Sequence, residues 1–299
     1  MLDLNLELAP CLVRGLACPV CGAGMRISDD GRSLVCSADV SRRNPQGRAH
    51  LFDGASGGYV SLAPRHSGGG DSKEAVRART AFLSHGYYAP AARALIELVQ
   101  KITPLGGMVL DAGCGEGYYS NQIAEAGFST MGVDLSKFAV DAAAKSARAR
   151  RMHTDSVATL YAVGSVFDLP VRDGVFDTVT NVFAPCASVE YARVLKTGGH
   201  LIVGGAGERH LFGLKQRIYD DPYLNEPRRD LPDDGGDLRL VHTQTVSFSI
   251  TVEGQAHIQA LFSMTPYYWK TSLDGHERIR AAERLETEVA FDLSVYEKH

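Results

Sequence analysis

The 299-residue sequence has no apolar run long enough to cross a bilayer, a task that takes roughly 18 to 20 residues. No membrane is therefore expected among its partners. Its opening residues, MLDLNLELAP, are acidic and lack the basic-then-apolar plan of a secretory leader, so a cytoplasmic location is expected. A surplus of positive charge is also missing. The formal net charge is −4, so a nucleic-acid partner would have to be held by a local basic patch. Internal repeats and sustained low-complexity segments are absent, which excludes a repeat array. In a reducing compartment the six cysteines read as thiols or metal ligands rather than disulfides.

What is present suits a globular chain, with 44% apolar and 22% charged residues. Its length allows one large domain plus a small module. The first sixty residues are rich in Gly, Ser and Arg, with short strand-like runs such as SLVC and GYVSLA. A segment of that size buries little core and usually needs a staple. PRHSGGGDS, residues 64–72, has linker composition. SKEAVRARTAFLSHGYY and PAARALIELVQKI read as helices, the second opening on Pro90 where a missing N–H costs nothing. Three parts follow: residues 1–63, 64–104 and 105–299.

In the third part strands and helices alternate. MVLDAG, STMGVDLS, ATLYAVGSV, FDTVTNVFA and GGHLIVGGA read as strands. YYSNQIAEAG, KFAVDAAAKSARARR and SVEYARVLK read as the helices between them. That order means a mostly parallel sheet covered on both faces. LRLVHTQTVSFSITV and TEVAFDLSVYEK are long alternating strands that suit an antiparallel pair at the sheet edge. GHERIRAAERLETE reads as a solvent-facing amphipathic helix.

The chemistry starts at VLDAGCGEGYYS, which supplies Asp111, Gly113, Gly115 and Gly117 on a strand–loop–helix. Glycines let backbone approach a ligand, and the helix start presents free N–H groups. A dinucleotide fingerprint is not met, because Tyr118 stands where its last glycine belongs. The spacing D-x-G-x-G-x-G resembles that of S-adenosylmethionine (SAM) methyltransferases, whose ligand has no pyrophosphate. GVDLS then places Asp134 at the end of the second strand, where a carboxylate can accept both ribose hydroxyls. Gly164, Ser165 and Val166 would turn beside the adenine. NVFAP ends the fourth strand at the acceptor side: Asn181 is either a catalytic group or a brace to backbone, and Phe183 is expected in the core.

The chain resembles the RlmA-type 23S rRNA (guanine-N1)-methyltransferases over nearly its whole length. The resemblance rests on CPVC with a later Cys and HLFD, then GGYVSLAP, RTAFLSHGYYAP, LDAGCGEGYY, APCASVEYARVLKTGGHLIV, GERHL and MTPYYW. It implies a class I SAM-dependent methyltransferase, Rossmann-like, with a small N-terminal zinc-binding module. It implies SAM contacts at Tyr88, Glu116, Gly117 and His210, besides Asp111, Gly113, Gly115 and Asp134. It implies structural zinc on Cys18, Cys21, Cys36 and His50. The segment SADVSRRNPQGRA separates Cys36 from His50 more widely than the family pattern does, and Cys11 is a spare thiol.

From the residues alone, Cys18 and Cys21 could bind metal, cycle as a redox pair or pack in a small core. Zinc accounts for all four residues and for how so small a module folds. Arg26, Arg32, Arg42, Arg43 and Arg48, with Arg65, Lys73, Arg77 and Arg79 after them, form the chain's one candidate phosphate-binding stripe. Tyr267, Tyr268 and Trp269 could stack on an unpaired guanine. The expected partner is a 23S rRNA hairpin loop, with a homodimer kept open as self-association. Two other readings stay open: a small-molecule methyltransferase, as in antibiotic biosynthesis, and a SAM- or RNA-binding protein without turnover.

Overall fold

The computed structural model describes residues 10–38, 47–63, 69–151, 157, 159–226 and 236–299. The N-terminal stretch forms α1 (Pro10–Gly15) and three short strands, β1 (Met25–Ile27), β2 (Ser33–Cys36) and β3 (Leu51–Asp53). These strands pair antiparallel in that order. β4 (Val60–Ser61) then leaves the small sheet and runs parallel to a strand of the large one. Two helices follow, α2 (Lys73–Ser84) and α3 (Ala89–Ile102). Ser72 caps α2 by accepting from the Ala75 N–H, and Pro90 lies in the first turn of α3.

Strand and helix then alternate: β5 (Met108–Ala112), α4 (Tyr118–Glu125), β6 (Ser129–Asp134), α5 (Lys137–Arg151), β7 (Thr159–Val163), β8 (Phe176–Val182), α6 (Ser188–Val194) and β9 (Leu195–Ala206). The chain ends with α7 (Phe212–Ile218), β10 (Leu238–Glu253), α8 (Gln255–Ser263), a 3-10 turn (Pro266–Trp269), α9 (Leu273–Arg280) and β11 (Arg284–Lys298). The large sheet runs β10-β11-β9-β8-β5-β6-β7-β4. β4 to β9 are parallel within it, and β11 and β10 are antiparallel additions at one edge, as their alternation predicts. The strand order reverses between β5 and β8, the crevice where open α/β sheets bind ligands.

Both sheet faces are covered because β5 alternates its apolar side chains. Val109 packs with Leu95, Ile123 and Phe291 on one face. Leu110 and Ala112 pack on the other, in one cluster with Leu12, Leu16, Met25 and Leu34. The N-terminal stretch, expected to have almost no core, therefore docks its apolar residues on the large sheet. Each fully buried leucine there contributes about 1.5–3 kcal/mol.

One expected helix was too long. α9 stops at Arg280, and the residues from Arg284 onward pair with β10. Leu285, Thr287 and Val289 are buried on one face of β11. That period of two prevails over the helix preference of the Arg and Glu residues around it.

Candidate active site and metal centre

The glycine loop lies between β5 and α4, at the switch point. Gly113 and Gly117 hold φ of +84° and +79°, in the left-handed region that favours glycine. A Cβ would meet Ala184 Cβ at 2.3 Å from Gly113, and Ala143 Cβ at 2.8 Å from Gly117. The loop is thus wedged against the β8 exit and α5. Asp134, ending β6, fixes it from the side: Oδ2 accepts from Gly115 N at 3.0 Å and Oδ1 from Ser136 N at 2.7 Å. Its remaining lone pairs are where ribose hydroxyls could donate.

Asp111 has a different posture from that of a ligand contact. It is buried, accepting from the Ser120 hydroxyl and from Thr180 Oγ1 at 3.0 Å. Burial pushes its carboxyl up to about 6. It braces the loop from below, and nothing in the motif pointed to Ser120 and Thr180 as its partners.

Glu116 is buried and pairs with Arg79, whose Nε lies 2.6 Å from Oε2. Arg79 also bridges to Asp71, and the Asp71 carbonyl accepts from Ser136 Oγ at 2.7 Å. The segment leading into α2 therefore lies across the loop and the Asp134 turn. Burial raises the carboxyls of Glu116 and Asp134, the first against the pull of Arg79. Asp71 and Glu116 pair with one guanidinium, and Asp134 feels its charge. Such a pocket favours a cationic ligand and opposes a phosphate. Burial also pushes the Cys114 thiol well up, leaving it no thiolate for nucleophilic work.

Tyr88 and His210 meet at the far wall. Tyr88 Oη lies 3.2 Å from His210 Nε2, and Ala290 N donates to His210 Nδ1 at 3.2 Å. That donation leaves the Nε2 proton pointing at Tyr88. Burial, aided by Lys215, lowers the His210 imidazole to about 4, so it is neutral and no candidate for a charged contact. Phe183 departs from its expected place. It is 48% exposed, with φ of +54°, and its ring lies 5.4 Å from His210 at the end of β8. Asn181 is the brace: buried, its amide donates to Ala112 O at 3.2 Å and Pro185 O at 3.1 Å. Of the aromatic trio, Trp269 is exposed, Tyr268 packs on Phe262 and His276, and Tyr267 is part-buried toward Asn225.

Cys18, Cys21, Cys36 and His50 come together with all four ligand atoms within 4.8 Å of one another. His50 Nδ1 lies 3.6 Å from Cys18 Sγ and 3.4 Å from Cys36 Sγ. A zinc tetrahedron with Zn–S of about 2.3 Å and Zn–N of about 2.0 Å has S···N edges of about 3.5 Å. Pairing of the Cys36 N–H with the His50 carbonyl, at 3.0 Å, supplies the register despite the long insertion. Cys11 is elsewhere, 3.8 Å from Ser129 Oγ. Burial pushes the Cys18 thiol to about 11, so a buried thiolate there needs a cation beside it.

The basic stripe is described only in part. Arg42, Arg43 and Arg65 lie outside the described residues. Arg79 belongs to the loop cluster described above, and Arg26 is 3.5 Å from Asp29. Lys73 and Arg77 are exposed on α2. No helix among the described residues is long and apolar enough to cross a membrane.

An acid-lined glycine loop at the switch point, closed by a carboxylate on the second strand, holds a cationic nucleoside rather than a dinucleotide. The protein is accordingly a class I SAM-dependent methyltransferase, and residues 110–203 match the family described as "Methyltransferase domain". The 23S rRNA (guanine(748)-N1)-methyltransferase of Streptomyces fradiae is 35% identical over 209 residues, 68% of this chain and 67% of that protein. A Micromonospora griseorubida protein, provisionally named a 23S rRNA (guanine-N1)-methyltransferase, is 31% identical over 228 residues, covering 70% and 71%. YxjB of Bacillus subtilis (strain 168), with the same provisional name, is 28% identical over 294 residues, covering 93% and 95%. The chain belongs to the 23S rRNA (guanine-N1)-methyltransferase family.

Proposed function

We propose that the chain transfers a methyl group from SAM to N1 of a guanine in a hairpin loop of 23S rRNA. One observation carries this beyond family membership: the strand that carries the SAM-type loop and the stretch that carries the Cys/His cluster share a single core. Leu12 and Leu16 precede the first cysteine ligand, and they pack in the same cluster as Leu110 and Ala112 beside the glycine loop. A small-molecule enzyme has little use for such an added element. The residues proposed for both sites come from one chain, so the proposal requires no homodimer. Ribosomal RNA as substrate implies a cytoplasmic enzyme.

When bound, SAM would supply an activated methyl on a sulfonium, the donor leaving as a neutral thioether and the acceptor N1 giving up its proton to water. The chain's task is alignment. Asp134 would receive the ribose hydroxyls, Gly113 to Gly117 would line the methionine end, and Glu116 would offset positive charge there. Tyr88 and His210 would close that end from the far wall. The half-exposed Phe183 ring, at the β8 exit, would lie beside an unpaired guanine turned out of its loop. Zinc on Cys18, Cys21, Cys36 and His50 would hold the N-terminal strands together; four protein ligands leave no open position for chemistry. Residues 1–63 would then dock RNA by its phosphates, with Arg42 and Arg43 contributing affinity without reading sequence.

The test is purified enzyme with labelled SAM and unmodified 23S rRNA, free and in ribosomal particles. The expected product is 1-methylguanine at a single position. Methylation of a small metabolite, with none in RNA, would favour a small-molecule enzyme. Binding of SAM and RNA without turnover would favour the non-enzyme.

A further inference from the structure

Lys215 in α7 is 0% exposed, and no carboxylate among the described residues pairs with it. Its ammonium donates to Tyr223 O at 3.1 Å and to Asn225 Oδ1 at 2.6 Å. It also lies 4.2 Å from the Tyr223 ring centroid and 5.2 Å from that of Tyr267. Burying a lone ammonium is costly, and its orienting effect on neighbours is strong in a low dielectric.

Those neighbours are held in one orientation each. Asn225 Nδ2 donates to Gly207 O at 2.8 Å and His210 O at 3.1 Å, which settles which end of the amide is which. Its Oδ1 therefore faces the two donors, Lys215 and the Tyr267 hydroxyl at 3.2 Å. With its proton committed to Asn225, Tyr267 has lone pairs left over and no donor among the described residues. The opposite arrangement holds at Tyr88. His210 gives it a proton, so its own hydroxyl hydrogen remains to be donated. The wall around His210 thus presents one fixed donor, Tyr88, and one fixed acceptor, Tyr267.

Guanine offers two donors on its Watson–Crick edge, N1–H and the 2-amino group. N1 must stay open to the incoming methyl, which leaves the 2-amino group for an enzyme acceptor. Adenine has no such group. We propose that Tyr267 is a specificity-determining residue whose hydroxyl oxygen accepts from the 2-amino group of the target guanine. Lys215 is the positioning residue that, through Asn225, keeps the hydroxyl proton committed and the lone pairs of that oxygen available. This rests on the guanine-N1 reading given above.

The test compares hairpin RNAs carrying guanosine or inosine at the methylated position. Inosine keeps N1–H and O6 but lacks the 2-amino group. Wild-type enzyme should prefer guanosine by about tenfold in kcat/KM, the worth of one hydrogen bond at a buried edge. Tyr267→Phe should bring the ratio close to one, and Lys215→Met should do the same. Lys215→Arg should restore part of the preference. A structural defect alone would slow both RNAs equally and keep the ratio. If Lys215→Met fails to fold, Tyr267→Phe decides, since it removes one hydroxyl and leaves the ring. A wild-type ratio near one, or a wild-type ratio kept by Tyr267→Phe, overturns the inference. Absence of methylation of the guanosine RNA by wild-type enzyme refutes the functional reading itself.

Discussion

Acidification should destabilise this protein through His210, and replacing that one residue by Asn should remove the effect. The imidazole is 6% exposed and lowered to about 4, chiefly by burial, from 6.5. Its folded-state pKa is thus below the unfolded one. Above pH 6.5 both states hold it neutral and nothing is lost. Below 6.5 the unfolded chain takes up a proton that the folded chain refuses, so stability falls until about pH 4 and then levels off. Between pH 7 and pH 4.5 this amounts to about 2 kcal/mol. Asp111 acts in the opposite sense: raised to about 6 by burial, it gains stability as pH falls toward 4. Glu116 and Asp134, also raised by burial, act in the same sense as Asp111, so only the difference from the variant isolates His210. Asn at 210 can still accept the Ala290 N–H but has no proton to gain. Urea unfolding of both proteins at pH 7 and pH 4.5 is the assay. The gap between them should shift by about 2 kcal/mol in favour of His210→Asn at the lower pH. Parallel pH profiles would refute a buried, neutral His210.

Three further outcomes follow from the same geometry. Asp134→Ala removes the acceptor for Gly115 N and Ser136 N as well as for the ribose, with bonds to a charged group worth about 1.5–3 kcal/mol each; calorimetry should show SAM affinity at least about tenfold weaker, and unchanged affinity would place the ribose elsewhere. Elemental analysis should find one zinc per chain, reduced in Cys36→Ser and His50→Ala but kept in Cys11→Ser; loss of metal in Cys11→Ser would overturn the ligand set. Arg193 donates to the carbonyls of Leu169 and Val171, on the segment that pairs with Leu16 just before the metal cluster. Arg193→Met should therefore cost about 1 to 2 kcal/mol in urea unfolding, and an unmoved midpoint would show that this segment holds itself.

What the sequence made legible were features whose physics is local. Gly113 and Gly117 advertise a positive φ that other residues resist, and Asp134 follows from its position at the end of a strand. Cys18, Cys21, Cys36 and His50 were legible by ligand type, although residues 39–46 lie between the last two. Long-range pairings were hidden. In the sequence Arg79 reads as part of the candidate phosphate-binding stripe, and only the fold brings it to Glu116, 37 positions away. Lys215 carried no signal in the sequence, yet its partners are Tyr223, Asn225 and the ring of Tyr267. Phe183 looked like core because it continues an apolar strand; the backbone reverses there with φ of +54° and turns the ring out. The core of the N-terminal stretch was invisible for the same reason, since Leu12 and Leu34 bury against strands a hundred residues on.

The activity proposed for this fold is modification of one guanine of the large-subunit RNA. Mass mapping of 23S rRNA from a strain lacking the gene, beside the parent and a complemented strain, tests it most directly. One 1-methylguanine in a hairpin loop should disappear on deletion and return with the wild-type gene but not with Asp134→Ala. Identical 1-methylguanine content in all of these strains would contradict it.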